Sequence, residues 1–202
     1  MPYLRGRHVP WLGLILLGGA ALRLWGIDFG LPHPQCRPDE STLVHKALAI
    51  GAGDLNPHFF NYPSLHFYLL AILYGVYWAG GWLLGLFPDL DGFVRLFFVD
   101  PTSFYLIGRW LGAAMGTASI LLVYHLGVGL GGVRVGLLAA FFFAVSFLHS
   151  RDSHFLTVDV PALFYALGAL VCAGRFAARG RRWDWLGAVC LFGLAASTKY
   201  NV

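Results

Sequence analysis

The sequence predicts an all-α polytopic membrane protein, with about five transmembrane helices and juxtamembrane helices in a large first extracytoplasmic loop. Three observations predict it. Charged residues are 12% of the 202 and hydrophobic ones 58%, where a soluble domain carries about 25% charged residues. Apolar stretches of roughly 18 residues or more recur along the chain. Arginines gather in short segments between those stretches, as the positive-inside bias requires. Seven Trp, nine Tyr and 17 Phe suit interfacial aromatic belts.

The first apolar segment runs from Val9 to about Leu31, after Arg5, Arg7 and His8. It has no A-x-A cleavage site and reads as an uncleaved span. Arg23 interrupts it, and either snorkels or faces the bundle. Pro32, Pro34 and Pro38 then forbid a continuing helix. Ser41 is the expected N-cap of a short helix, Thr42 to about Gly51. The loop 53–64 is rich in turn formers and aromatics and suits the bilayer surface. Leu65–Phe87 is apolar and long enough to span, and 88–103 is mixed, with Asp89, Asp91, Arg95 and Asp100. Further apolar segments are Phe104 to about Leu130, Val133 to about His149, Thr157 to about Ala178, and Trp185 onward. Cys36, Cys172 and Cys190 make neither a metal spacing nor a disulfide framework. The sequence stops at Asn201-Val202 inside an apolar segment, so it reads as the N-terminal part of a longer chain.

Arginine positions choose the topology. Arg5 and Arg7, Arg134, and the group Arg175, Arg179, Arg181 and Arg182 all fall in the cytoplasm only if Leu65–Phe87 does not cross. Its glycines, Gly75, Gly80, Gly81 and Gly85, also make it a weaker helix than its neighbours. Five spans result, with a cytoplasmic N-terminus. Residues 32–103 become one extracytoplasmic loop and 150–158 a second. Lys199 lies about 20 Å along the last segment from Trp185, close to the outer side. Asp39, Glu40, Asp159 and Lys199 then share one level.

Each of these residues has a structural reading and a functional one. Asp39-Glu40 is either a solvated pair capping a helix start, or a general base with its partner. Two such carboxylates can also hold a divalent cation. Asp159, two residues before Pro161, reads as a helix N-terminus, or as an acid that orients a substrate or cation. Lys199 is costly in an apolar segment unless paired or wet, and its ammonium suits a lipid phosphate. Arg109, one turn into its segment, is expected to pair with one of the acids. Arg151-Asp152 reads as an interfacial ion pair. His149 and His154 have no further ligand spacing.

Taken in order, the residues resemble a known family. One span is followed by Asp39-Glu40, a Tyr62-Pro63-Ser64-Leu65 turn before an aromatic run, and Arg109 opening the next span. Then come Gly132-Val133-Arg134-Val135-Gly136, Arg151 with Asp159 beyond it, and Thr198-Lys199. The order is similar to the GT-C superfamily of lipid-carrier-dependent glycosyltransferases, in particular its protein O-mannosyltransferase-like and aminoarabinose-transferase-like enzymes. The resemblance covers about Trp11 to Asn201. It implies that the chain is the N-terminal part of a GT-C transmembrane catalytic module, without its remaining spans and C-terminal domain. It also implies that the first loop carries juxtamembrane helices that do not span.

For function, the resemblance implies an inverting transfer of sugar from a polyprenyl-phosphate carrier to an acceptor hydroxyl of a glycan, lipid or protein. Asp39 would be the catalytic base and Glu40 its partner. Asp159, Lys199, Arg109, Arg151 and Tyr62 would bind substrate, with Lys199 nearest the leaving phosphate. Relatives often carry an acid–lysine pair where Asn61-Tyr62 stands here, which weakens any contact carried over to that turn. No cofactor is required, and a divalent cation is an open addition. The bilayer is the expected partner, and nucleic acid is not. The rival reading is a transporter or flippase of lipid-linked or polar solutes. It predicts inverted repeats and polar residues through the membrane depth, whereas the acids here cluster on one side without a repeat. A scaffold carrying an inactive remnant of such a site is a third reading.

Overall fold

The computed structural model describes residues 8–33 and 36–201, and is helical throughout, with no strand among the described residues. Its helices are α1 (Val9–Leu24), α2 (Pro38–Gly51), α3 (Leu65–Leu83), α4 (Leu90–Val99), α5 (Thr102–Ala144), α6 (Phe147–Asp152), α7 (Asp159–Arg179) and α8 (Arg182–Ala196). Arg5 and Arg7 lie outside the described residues.

Two helices are long and apolar enough to cross a membrane, α5 and α7, and α1 is a shorter apolar helix. As one rod, 43 residues of α5 would extend about 65 Å, twice a bilayer core of about 30 Å. It is not one rod. Gly131 (φ −150°, ψ 17°) and Gly132 (φ 82°, ψ −175°) break it, and the second needs a left-handed φ that glycine alone adopts cheaply. The two limbs fold back so closely that a Cβ on Gly127 would sit 2.8 Å from Gly136 Cα. The expected division at 130–133 is therefore present, inside a hairpin of two helical limbs. The second limb ends at Ala144, and the short helix α6 follows where the sequence suggested a continuous segment to His149.

The other helices pack on this hairpin. Gly19 of α1 meets Ile120 and Ala144, one from each limb. Leu12, Ile120, Tyr124, Ala140 and Ala144 form the core between them. α7 and α8 run antiparallel. Asp159–Lys199, Gly168–Leu191, Cys172–Gly187 and Arg175–Asp184 are successive contacts along the pair. Gly180, with φ 61°, makes the turn between them, as a C-terminal glycine typically does.

These contacts define two ends of the bundle. One holds the Gly131-Gly132 and Gly180 turns, with Arg134, Arg175, Arg179, Arg181 and Arg182 and the single acid Asp184. The other holds the end of α1, the starts of α5 and α7, the end of α8, and the other nine acids. α2, α3 and α4 pack together on this second end, around Leu43, Val44, Phe67, Leu70, Phe93 and Phe104.

Both ends of the α3–α4 stretch are tied to the acidic end. At its start, Leu65 N donates to Ser197 O beside the end of α8 (3.2 Å). Midway, Tyr74 Oη donates to Phe104 O at the start of α5 (3.1 Å), and Tyr77 stacks on Phe93 and Phe104. α4 then hands the chain to α5, where Asp100 accepts from Thr102 N (3.0 Å). Hydrogen bonding by Thr102, from its side chain first and its amide second, holds the Asp100 carboxyl below its ordinary pKa.

The α2 boundary differs from expectation. The helix starts at Pro38, with Arg37 as N-cap, and Ser41 lies inside it, donating to Pro38 O (2.7 Å). Proline at the first helical position has no N–H to lose. Asp39 and Glu40 then fall in the first turn, where the helix dipole favours negative charge.

Candidate functional site

Asp39 and Glu40 are neighbours in sequence with opposite fates. Asp39 is exposed, whereas Glu40 is 2% exposed. Glu40 Oε1 accepts from Arg109 Nε (2.9 Å) and from the Leu156 amide (2.7 Å), and Oε2 accepts from Arg109 Nη2 (2.6 Å). Arg109, 1% exposed, also donates through Nη1 to the carbonyls of Ile27 (2.8 Å) and Phe29 (2.9 Å). One fork thus joins the chain beyond α1, the first turn of α2, the body of α5 and the segment before α7. Its donors and acceptors are matched, as burial of two charges demands. The pairing expected of Arg109 is this one.

A row of glycines lets the 153–156 segment reach that fork. Gly108, Gly112 and Gly116 recur every four residues on α5, so they line one helix face. A Cβ on Gly108 would sit 2.6 Å from the Leu156 side chain, and one on Gly112 would sit 3.3 Å from Phe155 O. One on Gly116 would collide with Ser153 Oγ. The four-residue spacing of these glycines is a sequence signal of close packing in membrane helices.

Asp159 and Lys199 form the second pair. Asp159 opens α7 behind Val158, with Pro161 in the first turn. Val158 is the N-cap, and Asp159 is the first helical residue. Lys199 lies just past α8, its amide bonded to Ala195 O (3.0 Å), and its Nζ donates to Asp159 Oδ1. It is at the end of the bundle rather than deep within it. The side chains are 28% (Lys199) and 54% (Asp159) exposed. Beside them, Tyr200 Oη donates to Phe60 O (3.1 Å), and Tyr62 packs against Phe59 over the α2–α3 core. The turn 59–65 and the end of α8 are therefore stitched together. Arg151 pairs with Asp152 at 2.7 Å, partly exposed.

Two contacts join residues that no local pattern links, and the second settles Arg23 as facing the bundle, one of its two expected placements. Arg37 lays its guanidinium 3.7 Å over the Phe155 ring. Arg23 faces the bundle, fully buried, donating to Gly19 O (2.9 Å) and Ala144 O (3.0 Å), with Nη2 2.9 Å from His149 Nδ1. An arginine can only donate, so His149 Nδ1 must accept, and the imidazole must be neutral. Burial first, then the Arg23 charge, pull the His149 pKa down to about 4. Among the described residues no group of three His, Cys, Asp or Glu side chains could hold a metal ion.

The model of the dolichyl-phosphate-mannose-protein mannosyltransferase family matches residues 90–202. That is more than half of the chain. The chain belongs to this family. It is accordingly a membrane glycosyltransferase of the GT-C superfamily. No curated protein and no solved structure matches it. The family match takes in Arg109, Arg151, Asp159 and Lys199, while Asp39, Glu40 and Tyr62 precede it. The Glu40–Arg109 fork is the physical link between the matched part and the helix that carries Asp39.

Proposed function

We propose that the protein transfers a sugar from a polyprenyl-phosphate carrier to an acceptor hydroxyl on the extracytoplasmic side of the cell membrane, with inversion at the anomeric carbon. Mannose and protein are the sugar and acceptor named in the family's description. Asp39 is the base that takes the acceptor proton. The observation that carries this reading is the split within the acid pair. Glu40 is spent on Arg109 and Leu156, and this fixes the first turn of α2 so that Asp39 stands open on the acidic end. Glu40 and Arg109 are then positioning residues that hold the base, and need not touch substrate. Lys199, Asp159, Tyr62 and Arg151 border the same end and serve donor and acceptor.

In this reading α1, the two limbs of α5, α7 and α8 are five crossings, with the arginine-rich end cytoplasmic. α2–α4 form the extracytoplasmic cap, which suits a stretch fastened at both its ends to the acidic side. The arrangement supports a transferase over a transporter, because nine of the ten acids gather at one end instead of lining a path through the bilayer.

Asp39→Asn tests the base. In membranes charged with lipid-linked sugar, transfer should fall by about 10²- to 10⁴-fold while the variant inserts and accumulates normally. Transfer at the wild-type rate would remove Asp39 from the reaction. Sidedness is tested with single cysteines at positions 39, 95, 159 and 180 in a background lacking Cys36, Cys172 and Cys190. An impermeant thiol reagent on intact cells should label the first three and spare the fourth.

A further inference from the structure

At the candidate site, three acid–base pairs close most of the charge: Glu40–Arg109, Asp159–Lys199 and Asp152–Arg151. Beside the buried pair, at the start of α2, two charges stand outside these pairs. Asp39 is one and Arg37 the other, since Arg37 makes no ion pair among the described residues. Arg37 is nevertheless held in place. Its guanidinium rests on the ring of Phe155, itself 9% exposed, and Arg109 lies 5.5 Å from the same ring. A guanidinium stacked by its face keeps its N–H donors around the edge, free for a planar or tetrahedral anion. Arg109, Arg151 and Lys199, by contrast, would each have to leave a carboxylate before taking a phosphate.

We propose that Arg37, braced flat on Phe155, grips the phosphate of the lipid-linked donor. The assignment rests on the lipid-phosphate donor read above. In the transfer, the bond from the anomeric carbon to the phosphate oxygen breaks and its electron pair stays on that oxygen. The acceptor oxygen bonds to the carbon from the other side, and its proton goes to Asp39. The phosphate passes from a diester with one negative charge to a monoester with two. A fixed cation beside it therefore binds the transition state more tightly than the substrate. Arg37, the N-cap of α2, turns in to Phe155, and Asp39, in the first turn, stands exposed.

The test uses farnesyl phosphate and farnesol as probes, with the full chain in lipid nanodiscs and binding followed by tryptophan quenching. Wild type should prefer the phosphate. Arg37→Gln should weaken farnesyl phosphate at least tenfold and leave farnesol unchanged. Phe155→Leu, which keeps the charge and removes its brace, should weaken the phosphate several-fold. Equal affinity of wild type and Arg37→Gln for farnesyl phosphate overturns the assignment and leaves the donor class standing. A wild type indifferent to the phosphate overturns the donor class as well. If Arg37→Gln loses both probes, Arg37→Lys decides. A retained preference for the phosphate supports the assignment, and no preference overturns it.

Discussion

Glu40–Arg109 and Asp159–Lys199 both join an acid and a base from distant parts of the chain, yet they do different work. The first pair is 1–2% exposed, and the arginine spends its remaining donors on two carbonyls. The second is half open to solvent and has no further partner on the lysine among the described residues. A buried, fully matched pair cannot exchange partners without stranding a charge. An open one can. The first is therefore architecture that holds Asp39, and the second is a contact that a ligand can enter.

Breaking the buried pair should have the largest effect on stability. Glu40→Gln leaves the Arg109 charge uncompensated among apolar side chains, at a cost of about 3–5 kcal/mol. The double variant Glu40→Leu, Arg109→Met removes both charges and should recover much of that loss. Thermal unfolding in detergent measures both. A single variant as stable as wild type would show that the fork is not what fastens α2 to α5.

The glycine row sharpens the same point, because it decides whether Leu156 reaches Glu40. Gly116→Ala drives a Cβ into Ser153, whose hydroxyl already donates to His149 O (2.7 Å). Overpacking of this kind costs about 1–3 kcal/mol. The thermal midpoint should fall. In the same variant, Asp39-dependent transfer should drop through displacement of α2, though no substrate contact is altered.

Much of this fold was legible in the residues, and the reasons are physical. Apolar runs set by bilayer thickness located α1, both limbs of α5, α7 and α8. The Gly132-x-Arg134-x-Gly136 pattern marked the first turn, where Gly132 takes a left-handed φ that favours glycine. Helix starts were less legible. Proline at position 38 reads equally as a breaker or as a first helical residue, and only the packing of Glu40 decides between them. Of the site, the acids and Lys199 stood out as polar residues in an apolar chain. Arg37 on Phe155 did not, since a cation–aromatic contact across 118 positions leaves no local pattern. The partner of Arg23 was hidden for the same reason.

That Arg23 contact supplies a pH dependence. Folded His149 has a pKa near 4, below the ordinary value of about 6.5. Between those values the unfolded chain binds the extra proton, so stability is complete above about pH 6.5 and declines as pH falls toward 4. Protonation would also set two cations against each other at 2.9 Å and loosen α6 from α1. Replacing His149 with Gln, which keeps an acceptor near Arg23 and cannot titrate, should flatten the fall in thermal midpoint between pH 6.5 and 4.5. A variant with the wild-type slope would place the acid sensitivity elsewhere.

The open pair should matter least to stability. Asp159→Asn, Lys199→Gln and the double variant form a cycle whose coupling should be under about 1 kcal/mol, since exposed ion pairs lose most of their attraction to solvent. Under the proposed function their expected effect is on binding. With Asp159 neutralised, the Lys199 ammonium is free, and affinity for an isoprenyl phosphate should rise modestly. With Lys199 neutralised it should fall. If both single variants leave phosphate binding unchanged while the cycle returns several kcal/mol, the pair is a structural clasp like Glu40–Arg109. The contrast between the two pairs would then reduce to their exposure alone.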